Sequence, residues 1–203
     1  MPKVKIKRKS TLIDMTAMCD VASLLLTFFI LTATARQPEP LPVDIPSSTV
    51  TIKLPDTDIS TLTIGEGKVF FGVVGQDVRI NMLNRIGERY GIEFSQEEKL
   101  RFSLIESFGV PIANMKEFIA MSGADRNKLQ QPGIPRDSSN NELNQWILQA
   151  RYATKELHNQ DLRFSIKGDS KEQYPVIRDV IDILQGQKIN KFSLITSLEG
   201  LDK

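Results

Sequence analysis

The stretch "CDVASLLLTFF", Cys19 to Phe29, decides how this chain is read, because it sets an aspartate, Asp20, at the mouth of an apolar run. A charged carboxylate at the centre of a spanning helix costs roughly 2.5–3.5 kcal/mol on insertion scales. Either the segment does not span, or the acid is kept because it does something. Outward from Asp20, Met15 to Ala35 form 21 residues with no other charge. As a helix they measure about 31 Å, the thickness of a bilayer's hydrocarbon core. Lys3, Lys5, Lys7, Arg8 and Lys9 precede the run, whereas Arg36, Glu39 and Asp44 follow it. This asymmetry puts the N-terminus in the cytoplasm and the remainder outside. We expect a basic tail over 1–11 and a transmembrane helix over 12–35.

A secretory signal peptide is the rival reading. It has a basic start, an apolar run from Val21 and a small-residue cleavage pattern at Ala33-Thr34-Ala35. Against it stand the length of the charged leader and the presence in it of Asp14 and Asp20. If cleavage occurs, the product is a secreted binding domain.

The 203 residues carry a formal net charge of +1, of which residues 1–9 supply +5, leaving −4 for the rest. A mildly acidic body gives no footprint for nucleic acid. One cysteine, Cys19, and one histidine, His158, allow no internal disulfide and no zinc site of ordinary spacing. A Cys–His nucleophile pair would need the edge of the span to meet a remote domain. A lipidated cysteine would follow the apolar run, and Cys19 precedes it. Gly67-Lys68 lacks the rest of a phosphate loop. No catalytic constellation or cofactor motif is visible, and we expect a protein that is not an enzyme and carries no cofactor.

Pro38, Pro40, Pro42 and Pro46 mark residues 36–49 as a Pro-rich linker. In polyproline II geometry it reaches roughly 43 Å at 3.1 Å per residue. Residues 50–203 then read as a small α+β domain. "STVTIKL", Ser48 to Leu54, alternates as a strand. Leu62–Ile64 and Val69–Val73 flank Gly65-Glu66-Gly67 as a hairpin. Residues 78–140 look helical: Ile80, Leu83, Ile86 and Tyr90 share a face, Ser95 and Glu98 form a capping box, and a short helix covers Ala113–Met121. Glu142–Leu157 is a helix, Leu162–Ile166 a strand, and Phe192–Thr196 a second strand. Tyr174, Ile177, Ile181 and Leu184 mark the helix between those strands, with Pro175 in its first turn. One helical crossover implies that the two strands are parallel.

Turning 100° per residue, Thr16, Ser23, Thr27 and Thr34 fall within about 60° of Asp20, and Leu25 and Phe29 lie on the opposite arc. A polar stripe headed by a carboxylate faces protein or water rather than lipid. Serine and threonine also bond to their own helix backbone, and the hydroxyls alone are compatible with that. The carboxylate is harder to explain so, and a group that takes up and releases a proton suits a relay driven by the membrane potential. Asp14 lies on the far face near the basic flank, as an interfacial residue.

The segment "IDMTAMCDVASLLLTFFILTAT", Ile13 to Thr34, resembles that of the ExbD/TolR biopolymer-transport family, distant cousins of the flagellar stator B-subunit. Family members carry I-N-x-T-P-x-x-D followed by a Leu/Ile/Phe-rich span. Asp20 falls on their intramembrane proton-binding aspartate and Thr16 on their threonine. Asp14 replaces the usual asparagine and Ala17 the usual proline. The layout is also similar: basic tail, one span, flexible linker and small periplasmic α+β domain. In that layout residues 78–140 read as a helical insertion. The resemblance implies a single-pass inner-membrane protein that works as a dimer inside a pentameric ring of an ExbB/TolQ-like multi-span subunit. It implies that Asp20 carries protons, with Thr16, Ser23 and Thr27 lining the path, and that work passes to a TonB-like envelope-spanning protein. It further implies that Val43–Leu54, through Val43, Ile45, Val50, Ile52 and Leu54, can pair with a partner strand; an ordinary internal strand is the alternative. A membrane-anchored scaffold in which Asp20 pairs with a partner's basic residue is a third reading.

Overall fold

The computed structural model describes residues 15–33, 39–48, 57–137, 140–170, 174–195 and 197–198. The chain divides into two compact units, Met1–Gln37 and Pro38–Lys203.

In the first unit, α1 runs uninterrupted from Met15 to Thr32. Its 18 residues rise about 27 Å, and by length and composition it is able to cross a membrane. Residues 12–14, 34 and 35 of the expected span lie outside the described residues.

The second unit begins with a two-residue strand, β1 (Ser47–Ser48), of which only Ser48 belongs to the expected strand; Val50, Ile52 and Leu54 lie outside the described residues. The hairpin forms as β2 (Ile59–Gly65) and β3 (Lys68–Val73), antiparallel, with Gly65 opposite Lys68. Glu66 and Gly67 both have positive φ, 53° and 71°. A two-residue turn with both angles positive is the type whose twist matches paired strands.

Next come α2 (Gln76–Tyr90), α3 (Gln96–Ser103), β4 (Ser107–Phe108), a 3-10 turn at Ile112–Asn114, α4 (Met115–Ala120) and α5 (Gly123–Lys128). The third expected helix is thus split, its first turn wound as 3-10, while β4 and α5 were not foreseen. The chain closes with α6 (Glu142–His158), β5 (Arg163–Gly168), α7 (Tyr174–Gly186), β6 (Phe192–Leu194) and β7 (Ser197–Leu198).

Five strands form a mixed sheet in the order β4-β3-β2-β5-β6. β2 pairs antiparallel with β3 and parallel with β5, and β5 pairs parallel with β6 across the α7 crossover. Along β2, Leu62 and Ile64 point to the helices while Thr61 and Thr63 point to the other side, as the two-residue period of a strand requires. Thr61 meets the Ser165 hydroxyl of β5 there, at 3.0 Å.

The helical face holds one core. Leu62, Ile64, Phe71, Phe164 and Ile166 from the sheet meet Leu83 and Ile86 of α2, Trp146 and Ile147 of α6, and Val180 and Leu184 of α7. Residues between 78 and 140 belong to the same core through Met82, Phe102, Phe108, Met115 and Phe118. Phe102, Phe108 and Trp146 form one aromatic cluster, in which Phe102 stacks on Trp146 and Phe108 meets Trp146 edge-on with centroids 4.7 Å apart. The buried Glu142 carboxylate at the start of α6 accepts the Ile112 backbone N–H at 2.7 Å.

Candidate functional site

Within α1, Thr16, Asp20, Ser23 and Thr27 occupy one continuous helix, so their spacing keeps them within about 60° of one face. Asp20 is the single charged side chain among the 18 residues. Thr27 donates its hydroxyl hydrogen to the Leu24 carbonyl at 2.9 Å, and Thr32, off the stripe, does the same to Phe28 at 2.8 Å. These are ordinary helix back-bonds that satisfy a hydroxyl in apolar surroundings. For Thr27 the helix supplies the partner in this single chain. Asp14 and Thr34 fall outside the described residues.

The stretch read as a spacer lies against its own domain over the described residues 39–48. Leu41, Val43 and Ile45 are half-buried, while Pro42, Asp44 and Pro46 are exposed, the alternation of an extended chain lying on a surface. A methyl group added at Gly65 would lie 2.7 Å from Leu41 Cδ2 and 2.8 Å from Val43 Cγ1, so glycine admits the two side chains. The Ser170 N–H donates to the Asp44 carbonyl at 2.8 Å, and the Lys167 ammonium pairs with Glu39. Beyond them, β1 pairs parallel with β7, Ser47 beside Ser197 and Ser48 beside Leu198. Val43 and Ile45, which the resemblance implies can pair with a partner strand, are half-buried in this single chain.

A third constellation was not foreseen. His158, the last residue of α6, has Nδ1 bonded to Asp58 and Nε2 2.9 Å from Asp77 Oδ2. Asp58 directly precedes β2 and takes a left-handed conformation, φ 55°. Asp77 stands in the first turn of α2, where a negative charge also suits the helix dipole. The bonds from Asp58, then Asp77, hold the His158 imidazole above its ordinary value of 6.5. The same contact holds the Asp77 carboxyl below its ordinary 3.8. The two ring nitrogens point in different directions, and among the described residues no group of three or more His, Cys, Asp or Glu is placed to hold a metal ion. Sequence carried no signal for this cluster: its members lie 100 and 81 residues apart from the histidine.

A family model described as biopolymer transport protein ExbD/TolR matches residues 7–199. No curated protein and no solved structure matches the chain.

Proposed function

Since the chain belongs to the ExbD/TolR family of biopolymer-transport motor subunits, we propose that it is the proton-carrying subunit of its motor, with Asp20 as the carrier. The family is inner-membrane associated, and its members serve with ExbB/TolQ-type partners rather than as enzymes. The observation that carries the proposal is the isolation of Asp20 as the one charge in an apolar helix of spanning length. In hydrocarbon such a group is retained for a partner or a path.

On this reading, residues 1–11 are cytoplasmic, residues 12–35 span the inner membrane and residues 50–203 form a periplasmic domain tethered by residues 36–49. Thr16, Ser23 and Thr27 line the path of the proton. The span pairs with a second copy inside a pentameric ring of the multi-span subunit, and the motor drives TonB-type transport or a related envelope process. Residues 43–54 add a strand to, or take one from, a TonB-like envelope-spanning protein. Support for that last step is the extended shape and half-buried alternation of Leu41, Val43 and Ile45.

Proton uptake by vesicles holding this chain with its multi-span subunit tests the reading. Flux that vanishes in Asp20→Asn, with the complex still assembled, is the expected result. Equal flux in wild type and Asp20→Asn would overturn it and leave an anchored scaffold in which Asp20 pairs with a basic residue. Recovery of a mature chain beginning after Ala35 would instead identify a secreted domain.

A further inference from the structure

His158 is the chain's single histidine, and each of its ring nitrogens meets a different carboxylate, Asp58 at Nδ1 and Asp77 at Nε2. A neutral imidazole has one N–H and one lone pair. Between two carboxylates it would donate to one and turn its lone pair on the other. Only the imidazolium donates from both nitrogens, so this arrangement is that of the charged ring.

We propose that His158 is a pH-operated clasp: protonated, it ties the residue that leads into β2 to the first turn of α2 and the end of α6, and it opens when the proton leaves. Asp58 is the element that moves. It holds a left-handed backbone conformation, which is sparsely populated by residues other than glycine. Its carbonyl also accepts the Arg163 N–H of β5 at 2.9 Å, while the neighbouring Ile59 carbonyl accepts the Val74 N–H at 3.0 Å. Releasing the Asp58 side chain therefore loosens the corner where the first parallel ladder begins.

Several charges on the two helices have their own partners. On α6, Lys155 pairs with Asp161 at 3.3 Å and Glu156 with Arg85 of α2. Arg79 of α2 donates to the carbonyls of Val73 and Ser103. The ring's charge is thus answered by Asp58 and Asp77, and their two bonds raise the basicity of His158, so the clasp stays closed to higher pH than a free imidazole would allow. On the topology proposed above, the domain faces the side from which protons are supplied, so acidification of that side favours the closed clasp. The clasp itself does not depend on that topology or on the role of Asp20.

The test uses the full chain in lipid nanodiscs, purified without a histidine tag, so that the NMR spectrum holds one imidazole. We expect its titration midpoint above 6.5, and lower in both Asp77→Asn and Asp58→Asn. Amide exchange at Arg163, divided by its intrinsic rate, reads the corner itself. Protection there falls several-fold as pH passes the midpoint in the wild type. In His158→Gln it is already low in acid and does not vary with pH. A midpoint at or below 6.5, or one that neither asparagine variant moves, would overturn the proposal. So would Arg163 protection that is indifferent to the ring's titration. Asp77 is more than half exposed at its side chain, so its asparagine variant keeps the fold should the His158 variant fail to.

Discussion

Trp146 of α6 stacks on Phe102 of α3 with ring centroids 6.2 Å apart and planes 22° from parallel. Both rings are fully buried. Residues 78–140, which read from sequence as a helical insertion, therefore share aromatic packing with the helix before β5. Removing that segment would strip Trp146 and Phe71 of their aromatic partners Phe102 and Phe108.

Phe102→Ala should accordingly destabilise the whole domain, by about 3–5 kcal/mol for an aromatic ring deleted from a packed core. Denaturant unfolding followed by the emission of Trp146, the chain's one tryptophan, measures it. A loss below about 1 kcal/mol, the size of a surface effect, would mean that the segment folds independently of α6.

Gly65→Val should lift residues 39–48 from the domain while leaving the sheet intact, since the added methyls occupy the space of Leu41 and Val43. The Ser170 amide, which donates to the Asp44 carbonyl, should then exchange several-fold faster, with Phe71 and Ile166 unchanged. If exchange at Ser170 stays at the wild-type rate, the segment is held by something other than this contact.

Stability should peak between the two titrations of the His158 cluster. His158 is raised in the folded state, so its contribution is complete below about 6.5 and fades as pH rises through the folded value. Asp77 is lowered, so its contribution is complete above 3.8 and fades as pH falls through the folded value. Glu156, lowered by its bond to Arg85, adds to the acid side. Thermal melts across pH should therefore lose the alkaline limb in His158→Gln and show a shallower acid limb in Asp77→Asn. An alkaline limb that persists in His158→Gln would assign it to another group.

Ser95→Ala should cost about 1 kcal/mol, the usual worth of a helix N-cap. Ser95 Oγ accepts the Glu98 N–H at 3.2 Å and Glu98 returns the bond to the Ser95 N–H at 2.7 Å. A matched Glu98→Ala variant, melted alongside, should lose a similar amount. A cost in one variant alone would show that the two bonds are not reciprocal.

What could be read from the chain was what short spacing encodes. The Glu66-Gly67 turn, the Ser95 cap and the α7 stripe of Ile177, Ile181 and Leu184 each lie within a few residues, and the hairpin, α3 and the parallel β5–β6 pair followed. The single charge in α1 was legible for the same reason. The two-residue β4 offers no period to detect, and α5, with the sequence "GADRNK", has no apolar face. The parallel pairing of β2 with β5 and the His158 cluster join positions about a hundred residues apart. No local pattern reports such distances, because side chains far apart in sequence meet only through the packing of everything between them. Likewise, the prolines near residue 40 argued for a spacer, whereas the alternate Leu41, Val43 and Ile45 carried the information that it lies on the domain.

The Thr61–Ser165 contact, 104 residues apart, bears on how this protein is made. β2 is the central strand of the sheet and the first of its five strands to be synthesised, yet its parallel neighbour comes from the far end of the domain. The hairpin to β3 is able to form early, but its other edge stays open until α6 and β5 have emerged. Ladders that close over such long loops assemble slowly, on the scale of milliseconds to seconds. Refolding complete within microseconds would contradict that order. Until β5 arrives, β2 keeps an open edge, so the first strand of the sheet to be made waits for one of the last.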